Sequence, residues 1–182
     1  MCYNKHMKTF TLEGKPRNTP NGILDLAKQF HKAYKSCIKP KPIGNGKIED
    51  EFIPAYVNLA FACELYLKAL LKLKGKEKKG HLLIRLFIDL QAIDKSISDD
   101  IIKLSNIMSG LNYTEDNYKA FLKSISDTFK TWRYSYEWSK GIMCINAYFF
   151  QVFSISLYLV SENIINNLNI DYDKYKNIFK IN

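Results

Sequence analysis

At 182 residues, 47% of them hydrophobic and 25% charged, with only 8 Gly and 5 Pro, the chain has the composition of a globular domain and not of a disordered or collagen-like one. A chain of this length buries about 70% of the surface it exposes when unfolded, so one core suffices without a disulfide or metal staple. The formal charge of +9 permits attraction to a polyanion such as nucleic acid. The lysines are nevertheless spread along the chain, and the one dense run, Lys72, Lys74, Lys76, Lys78 and Lys79, reads first as a solvated linker between two helices and second as a phosphate-binding patch.

The four cysteines, Cys2, Cys37, Cys63 and Cys144, share no Cys-x-x-Cys spacing and read as small buried hydrophobes in a reducing compartment. Cys2 with His6 resembles half of a zinc site, but the three histidines stand too far apart to supply the other half, so neither a metal nor any other cofactor is expected. The segment MCYNKHMKTF lacks the apolar stretch of a secretion signal, which points to the cytoplasm.

Residues 1–19 are polar and predicted to form an irregular arm, 20–170 a helical domain and 171–182 a C-terminal extension. Asn21 is placed to cap a first helix, in which Leu24, Ala27, Phe30, Ala33, Tyr34 and Cys37 make one apolar face ending near Lys39. KPKPIGNGK reads as a loop by its Pro and Gly content. From about Glu51 to Lys74 the chain is apolar on nearly every side, with Pro54 suited to a first turn, and predicts a central helix. Its one polar stripe is Glu64, Lys68 and Lys72, at i, i+4 and i+8, in the order that favours helix ion pairs.

Gly80 breaks the chain, and a third helix follows with Leu82, Leu83, Leu86, Phe87 and Leu90 on one face. Ser98 is placed to cap a short fourth helix whose first turn carries Asp99 and Asp100, ended by Gly110 and Asn112. Thr114 opens a further segment with Tyr118, Phe121, Leu122, Ile125 and Phe129 as its apolar stripe, running as far as Trp138. After a break at Lys140 and Gly141, the stretch from Ile142 to Val160 is apolar all round. It approaches the roughly 20 residues of a membrane span. Asn146, Gln151, Ser154 and Ser156 along its length suit a buried core helix instead, so no membrane is expected. No strand alternation, hairpin turn or internal repeat is evident, and the predicted fold class is all-α, a single-domain bundle of about five to six helices.

The P-loop, GxGxxG, GxSxG and HExxH signatures are missing. Three local features remain. One is the Glu64 and Lys68 stripe. Another is the Gly80–His81 junction, which puts His81 in the first turn of the third helix either as a base or as a polar partner of a neighbouring helix end. The last is FKTWRYSYEW at 129–138, where Arg133 flanked by Trp132, Tyr134 and Tyr136 can contact phosphate and stack on bases. Arg133 and Glu137, at i and i+4, can equally form an ordinary ion pair.

In this order AFACELYLKALL at 60–71, KGHLLIRLF at 79–87 and FKTWRYSYEW at 129–138 resemble a bacterial branch of the HEPN superfamily, the higher eukaryote and prokaryote nucleotide-binding domains. The resemblance covers roughly residues 50–165. It implies a helical bundle, frequently a homodimer. In many members it implies a metal-independent endoribonuclease of toxin–antitoxin, abortive-infection or other antiviral systems. In those enzymes an Arg followed shortly by a His forms a composite site across the dimer, which activates the RNA 2′-hydroxyl and leaves a cyclic phosphate. Arg133 matches the family arginine, while Trp138, Ser139 and Lys140 stand where the His would be.

The implied function is binding of RNA or a nucleotide, with an antitoxin or defence-system protein as partner. Ribonuclease activity would need His81 to reach Arg133 from a different helix, with Glu137 or Tyr134 assisting. The alternative is a non-catalytic dimeric interaction module, in which Glu64 with Lys68 and Arg133 with Glu137 fix helix register.

Overall fold

The structure is a computed structural model that describes residues 18–39, 41–44, 47–49, 52–134, 145–176 and 178. Its first helix, α1 (Pro20–Cys37), is capped by Thr19 rather than Asn21. The Thr19 hydroxyl accepts from the Gly22 amide at 3.1 Å, and Pro20 takes the first-turn position where its missing N–H costs nothing. The apolar face is as predicted around Leu24, Ala27 and Tyr34, but His31 is buried among them.

The segment predicted as a loop instead forms a short antiparallel pair, β1 (Lys41–Gly44) with β2 (Lys47–Glu49), in which Lys41 faces Glu49 and Pro42 faces Ile48. The sequence between them is Asn45-Gly46, the dipeptide that tight hairpin turns prefer. Strands this short carry too few side chains to show an alternation, and the domain remains all-α.

Helix α2 (Phe52–Leu73) is the central one, with Ala55, Leu59, Ala60, Ala62, Cys63, Leu67, Leu70 and Leu71 all at 0% exposure on every side of it. Each fully buried leucine stabilises the fold by about 1.5–3 kcal/mol. Ring contacts set the neighbours. Phe30 meets Phe61 at 4.5 Å and Tyr34 meets Tyr56 at 5.8 Å, so α1 runs antiparallel to α2. Tyr56 meets Phe150 at 5.8 Å and Tyr66 meets Tyr158 at 6.0 Å, so α7 (Ala147–Ile165) runs parallel to it.

Between them come α3 (Leu83–Ile93), α4 (Lys95–Ser109), α5 (Glu115–Ile125) and α6 (Thr128–Arg133). The fourth helix begins earlier than predicted. Asp94 ends α3 in an extended conformation and caps α4 by accepting from the Ser96 amide at 3.1 Å. Ser98 therefore lies inside the helix, 0% exposed, with its hydroxyl donating to the Lys95 carbonyl. Gly110, at φ 69°, closes α4 in the left-handed conformation as expected. Thr114 caps α5 as predicted.

The helix predicted to run on to Trp138 breaks at Ser126 and Asp127 and resumes as the six-residue α6. The break has a tertiary cause. The first residue before α3, Leu82, offers no side-chain cap, and Ser126 supplies one from across the bundle: its hydroxyl accepts from the Ile84 amide at 2.8 Å and its carbonyl from the Leu83 amide at 3.4 Å. With this split there are seven α-helices among the described residues.

Helix α7 is capped by Asn146, whose side chain accepts from the Phe149 amide at 2.9 Å. It is the one helix among the described residues long and apolar enough to cross a membrane, and Phe149, Phe150, Val152, Phe153, Leu157 and Val160 are all at 0% exposure within the bundle. Its packing is that of a core helix. The serines read as core-compatible are bonded within the chain: Ser156 meets Ser105 of α4 at 2.8 Å, and Ser105 meets Tyr118 of α5 at 3.0 Å. The chain after α7 folds back, with Tyr172 donating to Asp100 and lying under the Lys103 ammonium. Cys63 is a fully buried free thiol and Cys37 is half-buried, whereas Cys2, His6 and Cys144 lie outside the described residues.

Candidate functional site

The i, i+4 spacing of Glu64 and Lys68 puts both on one face of α2, and the packing of α3 and α6 buries that face. Glu64 is 1% exposed. A carboxylate so far from water is costly unless it is paired and hydrogen-bonded. Lys68 donates to Oε1 at 2.7 Å, and the His81 Nδ1 lies 3.1 and 3.0 Å from Oε1 and Oε2. The predicted stripe is thus two residues long, because Lys72 turns away to Glu77.

His81 reaches Glu64 from a residue earlier than predicted. It stands in the connection before α3, one position ahead of the cap residue Leu82, and not in the first helical turn. Gly80 turns the chain at φ 103°, in the region that favours glycine, with nothing within 4 Å of where a Cβ would stand, so the requirement is one of backbone conformation. Ser126 then holds the start of α3. A carboxylate can only accept, so Nδ1 carries a proton and Nε2 is left for chemistry. The side chain is 56% exposed, in contrast to the carboxylate that orients it.

The second half of the arrangement is an aromatic platform. Phe129 of α6 stacks on Phe61 of α2, centroids 4.8 Å apart at an interplanar angle of 17°. The His81 ring lies 5.5 Å from the Phe129 centroid, and the Arg133 guanidinium carbon 4.9 Å from it. Arg133 also lies 4.6 Å from the centroid of Tyr134, to whose hydroxyl it donates. His81, Arg133 and Tyr134 are therefore brought to one neighbourhood by Phe129, a residue that the sequence marked only as part of an apolar stripe. Arg133 and Tyr134 are exposed. Trp132 is not a base-stacking surface: it is 5% exposed and packs on Phe52 and Tyr56. Glu137, Tyr136 and Trp138 lie outside the described residues.

Lys68 also lines a cavity of about 240 Å³ with Lys72, Lys76, Lys78 and Lys79, so the lysine run opens beside the Glu64 cluster. Much of it is paired, Lys72 with Glu77, Lys74 with Asp94 at 2.7 Å and Lys78 with Asp89 at 3.2 Å. The run is thus partly an ion-pair lattice that ties the connection to α3 and the start of α4. Among the described residues no three His, Cys, Asp or Glu side chains gather in a way that can hold a metal ion.

A buried histidine that sequence reasoning passed over is His31. It lies four residues after Ala27 and seven after Leu24 on the apolar face of α1, a polar residue at core spacing, and that is the signal that marks it.

A helical bundle whose central helix holds a buried Glu–Lys pair, with an exposed histidine oriented by that glutamate and an arginine on the same aromatic ring, defines an all-α domain with a polar, phosphate-compatible surface patch. The HEPN domain family matches residues 49–142, just over half of the chain, and the chain belongs to that family. Its members are nucleotide-binding or ribonuclease-like domains. Neither a curated protein nor a solved structure matches the chain.

Proposed function

We propose that this HEPN domain binds RNA at the surface formed by His81, Arg133 and Tyr134 and cleaves it without a metal ion. The observation that carries the reading is the oriented imidazole: a half-exposed His81 whose Nδ1 is fixed by a buried carboxylate, on the same Phe129 ring as the Arg133 guanidinium. The toxin–antitoxin or defence setting and the homodimer belong to the same proposal and rest on the family likeness alone, and the cytoplasmic location belongs to it on the cysteine usage and the polar character of residues 1–10.

In the proposed reaction Nε2 of neutral His81 accepts the proton of an RNA 2′-hydroxyl. The 2′-oxygen attacks the adjacent phosphorus, the bond from phosphorus to the 5′-oxygen breaks, and that oxygen leaves with a proton from water. The products are a 2′,3′-cyclic phosphate and a 5′-hydroxyl end. Arg133 neutralises the charge that builds on the phosphate oxygens, and Glu64 stabilises the imidazolium as it forms. Lys68, held on Glu64, keeps that carboxylate in place.

The competing reading, a dimeric interaction module, is favoured by one observation, that Glu64 is already satisfied by its two partners as a register-fixing group would be. Incubation of the protein with end-labelled RNA in EDTA, beside His81→Ala and Arg133→Ala, separates the two. Cyclic-phosphate ends that either substitution abolishes support the ribonuclease. Absence of cleavage by folded protein selects the module.

A further inference from the structure

On the far side of α2 from Glu64 a second polar site is built into the bundle. Tyr66 follows Glu64 by two residues and so leaves the helix about 200° around its axis. There it meets His31 of α1 and Tyr158 of α7, three rings whose centroids stand 6.0 to 6.1 Å apart. They form the floor of a cavity of about 240 Å³ whose remaining wall is Lys28, Lys32 and Lys35, at i, i+4 and i+7 on one face of α1. Lys28 is engaged by Glu162, whereas Lys32 and Lys35 have no carboxylate partner among the described residues.

The floor has hydrogen-bonding capacity that the protein leaves unused. His31 is 5% exposed, its Nδ1 lies 3.2 Å from the Tyr66 hydroxyl, and its Nε2 is buried with no partner among the described residues. Buried polar atoms are almost always bonded, so such an atom calls for an explanation. The Tyr66 hydroxyl, kept protonated by burial, can donate to Nδ1, which places the ring proton on Nε2 as a donor. The Tyr158 hydroxyl likewise makes no hydrogen bond among the described residues. The site offers two ammonium groups, Lys32 and Lys35, and two neutral donors, against the single carboxylate of Glu162, which is held on Lys28.

We propose that the cavity between α1, α2 and α7 binds a small phosphorylated anion, with Lys32 and Lys35 pairing its charge and His31 and Tyr158 donating to its oxygens. A phosphate group fits better than a carboxylate, because its several oxygens and double charge match four donors and two cations. The volume, that of about eight waters at ~30 Å³ each, suits pyrophosphate or a short phosphate monoester rather than a polymer threaded through. The inference does not rest on the ribonuclease reading, which uses the other side of α2.

The test is calorimetric titration of the full chain with pyrophosphate, inorganic phosphate and a short 5′-phosphorylated oligoribonucleotide, with the His31 ring followed by NMR. The expected result is pyrophosphate bound more tightly than phosphate, with a His31 shift at saturation. Affinity should fall about tenfold or more in the Lys32→Ala/Lys35→Ala protein, whose exposed positions leave folding intact, and severalfold in Tyr158→Phe. Tighter binding of the oligonucleotide than of pyrophosphate would overturn the choice of a small ligand. No binding at millimolar pyrophosphate, or binding that the double substitution leaves unchanged, would overturn the site.

Discussion

Glu64 accepts from the His81 Nδ1 through both carboxylate oxygens, at 3.1 and 3.0 Å, across 17 residues of sequence. Lys68 supplies the countercharge at 2.7 Å and is 23% exposed, so it is the group that makes the buried carboxylate tolerable. Removing it leaves a charge in the core with only a half-exposed imidazole beside it. Lys68→Met is expected to lower stability by about 2–3 kcal/mol, below the full cost of an orphaned buried charge because His81 remains. Adding Glu64→Gln should recover most of the loss, since both charges are then gone. Urea denaturation of the two single variants and the double variant measures the coupling. Simple additivity would refute the pairing.

Burial, with the Lys35 charge as the smaller cause, pulls the His31 pKa down from 6.5 to about 4. Tyr34, Tyr66 and Tyr158 surround the ring, Lys28, Lys32 and Lys35 line the adjoining cavity, and the nearby Glu162 carboxylate is taken up by Lys28, so nothing offsets the cost of charging the ring. The unfolded chain takes up a proton near pH 6.5 while the folded one does not until about pH 4. The contribution is therefore fully present above pH 6.5 and is lost as pH falls toward 4. Its size is on the order of 3 kcal/mol. Denaturation midpoints between pH 7 and 4 should fall more steeply for the native protein than for His31→Gln, and parallel curves would contradict the assignment.

The two amides at the start of α3 depend on Ser126, and α3 carries His81 just ahead of it. Ser126→Ala removes the hydroxyl acceptor for the Ile84 amide and should cost about 1 kcal/mol, the usual worth of a helix N-cap. The local effect is more diagnostic than the global one. Amide exchange should accelerate at Leu83 and Ile84 beyond what the loss of global stability explains, while the α7 amides follow global stability alone.

What the sequence made legible was whatever its own periodicity encodes. Helix α2 could be read because it is apolar on every side, and the Glu64–Lys68 pair because four residues on a helix is one turn. The break at Ser126 could not, because Ser126 and Asp127 are only mildly unfavourable inside a helix, too weak a signal to end one, and what decides the break is the Ile84 amide 42 residues away. The start of α4 was displaced because Ser98 and Asp94 are both good caps, and the extended backbone at Asp94 decides between them. The partnership of His81 with Glu64 was hidden for a similar reason: it depends on the turn at Gly80, which no spacing expresses. Phe129 looked like any core residue, although it is the ring that brings His81 and Arg133 together.

That role of Phe129 can be separated from its packing. Phe129→Leu keeps an apolar side chain on Phe61 and, at a half-buried position, should cost no more than about 1.5 kcal/mol. The Arg133 guanidinium loses the cation–π contact on that ring, worth about 0.5–1 kcal/mol at an exposed site. The His81 ring loses its aromatic neighbour but keeps the Glu64 hydrogen bonds. In NMR the His81 ring protons should therefore lose their ring-current shift while the Nδ1 proton stays bonded, and the Arg133 side chain should become more mobile. If Arg133 mobility is unchanged, the guanidinium is held by Tyr134 alone, and Phe129 is not what joins the two halves of the site.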